Sequence, residues 1–114
     1  MRIESLSPEE LRISWQPPSE DKQNGIITEY ETTCIYQCEG NCDDEEAGEE
    51  VAVHSIITSE LFWLIGALKE DSLYSCESRA YTAVGPGPKT NPSVGRTQQK
   101  PVSKLQFKVF NLRI

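Results

Sequence analysis

Residues 68–88 read LKEDSLYSCESRAYTAVGPGP, and two spacings inside them decide the fold. Tyr74 falls six places after Leu68, and Cys76 follows two places later. From Leu73 to Ala83 the side chains alternate with the period of a strand that buries one face. In a two-layered antiparallel sandwich the chain must cross from one sheet to the other at the base of the core. A leucine before the crossing plugs the core, and a tyrosine after it bonds its hydroxyl to backbone a few residues upstream. The ring is buried while its polar tip stays satisfied. Leu68 and Tyr74 read as such a tyrosine corner.

Working outward, Val51–Thr58 and Leu61–Ile65 are expected strands upstream of the crossing. Ile26–Gln37 is a longer one, with Tyr30, Thr32, Cys34 and Tyr36 on one face. Leu11, Ile13 and Trp15 alternate with Arg12 and Ser14, and Pro17-Pro18 stops that strand because proline cannot donate to a ladder. Trp15 and Tyr30 are the aromatic candidates for the core. Ser19–Gly25 is a polar loop closing on the Asn24-Gly25 turn signal. The glycines and prolines of VGPGP bend the chain toward a last strand near Ser93–Gln98. Met1–Ser5 leaves room for only a stub of first strand before the Ser7-Pro8 turn. No stretch sustains a helical period. Six or seven short strands with regular turns point to a β-sandwich.

Four motifs come in one order: Trp15-Gln16-Pro17-Pro18, then Asn24-Gly25-Ile26-Ile27-Thr28-Glu29-Tyr30, then Leu68 through Tyr74, then Ala80-Tyr81-Thr82-Ala83-Val84-Gly85-Pro86-Gly87-Pro88. Together they resemble a fibronectin type III domain over about Ile3 to Gln98. The resemblance implies an all-β, seven-stranded Greek-key, immunoglobulin-like β-sandwich of a three-strand and a four-strand sheet. It also implies a module repeated in adhesion molecules and receptors. Three positions depart from the family pattern. The usual Pro-Gly before the tyrosine is Glu70-Asp71, the aliphatic residue two places after it is Cys76, and the Pro-rich opening of the first strand is absent.

If Tyr30 faces Ala80 on a neighbouring antiparallel strand, as that pattern implies, four steps along each strand bring Cys34 opposite Cys76. Opposed residues lie within disulfide reach. Cys38 would then oppose position 72, and Cys38 with Cys42 would close a small loop around Glu-Gly-Asn. The expected bridges are therefore Cys34–Cys76 and Cys38–Cys42, with buried free thiols as the alternative. Cys34, Cys38 and Cys42 also have helical i, i+4, i+8 spacing, with His54 as the single imidazole, but the context disfavours a helix and no Cys-x-x-Cys occurs. No metal or other cofactor is expected. In the same register Glu31 falls beside Arg79 on the outer face.

The chain has 114 residues, 37% of them hydrophobic and 25% charged, which suits one domain with one core. Its net charge of −7 argues against nucleic acid and anionic membranes as partners. The longest apolar run, Leu61–Leu68, is far shorter than the roughly 20 residues that span a bilayer, so direct membrane insertion is not expected. No secretory leader pattern follows Met1, and the chain reads as a piece of a longer protein. No phosphate-binding glycine loop, HExxH or Ser-His-Asp pattern accompanies His54, and the expectation is that this is not an enzyme. Asn91-Pro92-Ser93 is excluded as a glycosylation sequon by its proline, and no Arg-Gly-Asp occurs.

Glu39, Asp43, Asp44, Glu45, Glu46, Glu49 and Glu50 make the most distinctive surface stretch. It reads as a solvated loop, as an electrostatic partner-binding loop for a basic protein, or as a calcium site without EF-hand spacing. The expected domain is 1–100, with 101–114 as a linker and first strand of a following module, or an extra edge strand. An alternating strand there could also add to another copy's sheet edge, giving a strand-exchanged dimer. The expected function is extracellular protein–protein interaction and spacing in a multidomain receptor or adhesion protein. Its partners would be a protein ligand or neighbouring modules. The alternative is a structural scaffold module of an intracellular filament protein, which would keep free thiols.

Overall fold

A computed structural model describes residues 1–19, 25–40 and 52–100. Among the described residues eight strands account for the regular structure: β1 (Arg2–Ser7), β2 (Glu10–Ser14), β3 (Ile27–Glu39), β4 (Val53–Thr58), β5 (Phe62–Ile65), β6 (Ser72–Thr82), β7 (Gly85–Pro86) and β8 (Ser93–Arg96). One sheet runs β1-β2-β5; the other runs β4-β3-β6, with β7 and β8 sharing the far edge of β6. Every pairing is antiparallel. The strand at 85–96 is thus one position in two pieces, and the expected all-β sandwich of three and four strand positions is borne out.

The alternation that made the strands legible also fills the core. Leu11 and Ile13 on β2 and Ile65 on β5 meet Tyr30 and Cys34 on β3 and Tyr74 and Cys76 on β6. Trp15 follows β2 into the same cluster, and its ring sits tilted at 6.1 Å from that of Tyr30. Two hydroxyls are buried with them. Thr32 and Ser78 face each other across β3 and β6, and Thr32 donates to Ser78 at 3.0 Å. The pair satisfies in place what would be costly alone.

The β3–β6 register sets Tyr30 against Ala80, Glu31 against Arg79 and Cys34 against Cys76. The two cysteine sulfurs are bonded, and both residues are fully buried. Below Tyr36 the ladder slips by one residue, so Cys38 opposes Leu73 and not the expected position 72, which faces Glu39. An irregularity between Tyr36 and Cys38 takes up the extra residue.

Two further expectations are corrected. The first strand is no stub: β1 is six residues long and pairs with β2 from Arg2↔Ser14 to Ser7↔Glu10. The VGPGP stretch does not merely bend the chain, because Gly85 and Pro86 pair with Thr82 and Tyr81. Pro88 and Pro92, which have no N–H, then interrupt the ladder before β8 resumes. In the gap Thr90 serves twice: its N–H donates to Ser78 O at 2.7 Å, and its hydroxyl accepts from Ser78 N–H at 3.0 Å.

The crosslink spans 42 residues of sequence, for which loop-closure entropy gives about 4 kcal/mol at 25 °C. Replacing Cys34 and Cys76 together by alanine should lower the unfolding free energy in urea by about 2–4 kcal/mol. An unchanged urea midpoint would mean that the bridge adds no stability.

Candidate functional site: corner, groove and acidic loop

The chain leaves β5 at Ile65 and crosses between the layers through Gly66–Asp71. Ala67 and Asp71 both adopt left-handed backbone, with φ of 58° and 46°. Asp71 stands where the family pattern has glycine, and aspartate is among the few other residues that tolerate this region. Leu68 turns inward and is buried, while its N–H donates to Glu9 O at 3.0 Å. That bond ties the crossing to the β1–β2 turn.

Lys69 is then clasped from both sides. Its N–H donates to the Tyr74 hydroxyl at 3.0 Å, and its carbonyl accepts from the Thr97 hydroxyl at 2.6 Å. Thr97 also accepts from Ser72 N–H at 2.9 Å, and Ser72 is the first residue of β6. Three polar groups that leave a sheet at the base of the core therefore find partners without water. Tyr74 is 1% exposed, with the Tyr36 ring edge-on at 5.6 Å and the His54 ring at 6.3 Å. Thr97 falls inside the expected last strand, Ser93–Gln98, where nothing local marks its hydroxyl as a partner for the crossing. Its signal would have been its distance from Ser72, which no local pattern carries.

At the opposite end lies a groove of about 350 Å³, lined by Trp15, Ile27, Tyr30, Ala80, Val84 and Pro86 among others. The motif residues that opened the family resemblance converge there. Burial pushes the Tyr30 phenol above its usual range. On the adjoining outer face Arg79 Nε donates to Glu31 Oε1 at 2.8 Å, and the Tyr81 hydroxyl approaches the same oxygen at 3.4 Å. The hydrogen bond to Glu31 raises the Arg79 pKa, and the guanidinium also stacks 5.5 Å from the Tyr81 ring. With its charge answered locally, Arg79 is poorly placed to attract an anion.

Of the acidic stretch, Glu39 lies on β3; Asp43, Asp44, Glu45, Glu46, Glu49 and Glu50 lie outside the described residues, as does Cys42 of the expected Cys38–Cys42 bridge. The Ser19–Gly25 loop is described only at its two ends. Cys34 and Cys38 sit on a strand, so the helical spacing a zinc reading requires is not realised there. His54 lies on β4 directly across from Cys34, whose sulfur is committed to Cys76. Among the described residues no group of three His, Cys, Asp or Glu could hold a metal ion.

Tyr74→Phe removes the acceptor from Lys69 N–H and leaves the ring in place. It should cost about 1–2 kcal/mol in chemical unfolding with the same denaturant dependence. A variant as stable as the parent would show that the hydroxyl contributes packing alone.

No protein-family model matches the chain. It is 35% identical over 111 residues to receptor-type tyrosine-protein phosphatase F of Homo sapiens, matching 94% of this chain and 6% of that protein. It is 34% identical over 111 residues to protein sidekick-1 of Gallus gallus, matching 97% of this chain and 5% of that protein. The chain thus spans a small fraction of these relatives. The solution structure of the third fibronectin III domain of human KIAA0343 protein superposes with a TM-score of 0.66 at 16% identity, covering 89% of this chain and 80% of that one. Two antiparallel sheets, the leucine–tyrosine crossing and these likenesses together identify the chain as a fibronectin type III domain.

Proposed function

We propose that the chain is a non-catalytic, extracellular interaction and spacer module of a multidomain receptor or adhesion protein. On this reading residues 1–100 are the module, and 101–114 are a linker and first strand of a following module, or an extra edge strand. The observation that carries this reading is the buried Cys34–Cys76 bond. Such bonds persist in oxidising compartments and are rare where glutathione keeps thiols reduced. The name of the receptor-type relative and the 6% of its length that this chain spans agree with one module among many. Among the described residues no helix is long and apolar enough to cross a membrane.

Binding would use what the fold leaves exposed. The groove beside Trp15 and Tyr30 offers apolar lining at the loop end, and the carboxylates of 43–50 offer charge. The described lining of the groove holds no histidine, cysteine or carboxylate. A basic protein held by the acidic loop would associate more slowly as salt rises.

The intracellular filament alternative requires reduced cysteines, which makes the two readings separable. Alkylation of unreduced protein taken from cells that make it, followed by mass spectrometry, should leave Cys34 and Cys76 unlabelled. Label on both sulfurs would overturn the extracellular assignment.

A further inference from the structure

Two open sheets have four outer edges, and an open edge presents unpaired backbone groups to any other strand. Three of the four carry a recognisable protection. β1 bears Arg2 and Glu4 and an irregularity between Ser5 and Ser7. β5 is only four residues long, and Arg12 lies 4.9 Å over its Phe62 ring. The β7–β8 edge is broken in two and carries Pro86, Pro88 and Pro92. The fourth edge, β4, reads VHSIIT over six residues with no lysine, carboxylate or proline. Val53 and Ile57 on it are each 57% exposed. Among the described residues nothing pairs with its outer side.

One other stretch of this chain has the complementary character. Lys104–Ile114 reads KLQFKVFNLRI, with Leu105, Phe107 and Val109 alternating against Lys104, Gln106 and Lys108. Its three charged side chains, Lys104, Lys108 and Arg113, are all cationic. Six carboxylates at 43–46, 49 and 50 lead into β4. Covalent connectivity alone keeps Glu50 within about 11 Å of Val53, three residues on. That distance is close to the roughly 8 Å screening length at physiological salt, so the cations would be attracted to this edge.

We propose that β4 is the docking edge for residues 104–114 of a second copy of this chain, giving a closed dimer by reciprocal strand addition. This rests on reading the chain as a protein-binding module and names the partner of one of its surfaces. The donor comes from the other copy for a geometric reason. The chain leaves β8 on the β1 side, where Gln98 N–H donates to Ser7 O at 3.4 Å. Lys100 is itself held at the crossing, where its N–H donates to Glu70 Oε2 at 3.1 Å. From there the four steps to Lys104 reach at most about 14 Å, short of the four strand spacings, about 19 Å, that separate the β8 side of the sheet from a position outside β4. Pairing in trans frees the donor to run antiparallel to β4. Reciprocal exchange uses both edges and leaves no open end for further addition.

The test is sedimentation equilibrium of the full 114-residue chain across concentration and salt. The expected result is a monomer–dimer equilibrium that weakens as NaCl rises. Ile57→Lys should raise the dimer dissociation constant at least about tenfold, and the Lys104→Glu/Lys108→Glu pair should do the same from the donor side. Leu64→Lys, at an exposed apolar position on β5, should leave it unchanged, and circular dichroism checks that each variant folds. A monomer at the highest attainable concentration, or a dimer indifferent to Ile57→Lys, overturns the proposal. Either outcome leaves the module reading to its own test, the redox state of Cys34 and Cys76.

Discussion

A backbone that leaves one sheet must find partners for its polar groups before it joins the next. Here the Tyr74 hydroxyl and Thr97 hydroxyl supply them to the two sides of Lys69. This clasp holds the crossing at a fixed height above β6. Leu68 can then point into the core, and the Tyr74 ring meets those of Tyr36 and His54 edge-on. Because Thr97 follows β8 directly, the same few bonds join the crossing, the start of β6 and the end of the last strand. Removing one of them leaves a polar group at the edge of the core, which costs more than the bond itself returns.

From that anchor the register of the larger sheet propagates upward. With Tyr74 opposite Tyr36, Cys76 meets Cys34, Ser78 meets Thr32 and Ala80 meets Tyr30 in sequence along β6. A slip of one residue would turn all of these outward together, so crosslink, hydroxyl pair and aromatic cluster specify one alignment jointly. The groove at the far end inherits its walls from this alignment, since Tyr30 and Ala80 both line it. The likeness to known fibronectin type III domains is therefore carried by long-range spacing, which low identity does not erase.

Those spacings are what could be read in advance. Leu68, Tyr74 and the inward face of β3 follow from period-two alternation and one fixed crossing, and the Cys34–Cys76 opposition from the register that the family resemblance implies. What escaped reading has physical causes of another kind. β1 was expected to be a stub because little chain precedes the Ser7-Pro8 turn, yet Ile3 is drawn in by the core, and Gly95 leaves room for it. A Cβ on Gly95 would lie 2.2 Å from Ile3 Cγ2. The slip beside Gln37 moved Cys38 from its expected partner, and such an irregularity leaves no mark in composition. Thr97 and Thr90 replace missing ladder bonds with side chains, a role set by tertiary neighbours and not by local propensity. Asp71 was visible as a departure from the family pattern, but its left-handed backbone became evident only in the folded chain.

Function follows the same division. A core crosslink and a scaffold of sheets were legible, while binding surfaces depend on loops and edges that alternate little. The central claim is that the crossing at Lys69 is locked to the body of the sandwich. Native-state hydrogen exchange of the Lys69 amide measures it directly. If the account holds, that amide opens only with global unfolding, despite the exposed side chain it belongs to, and shares the protection of the β3 and β6 core amides. Exchange at the rate of an ordinary surface turn, while those core amides stay protected, would contradict it.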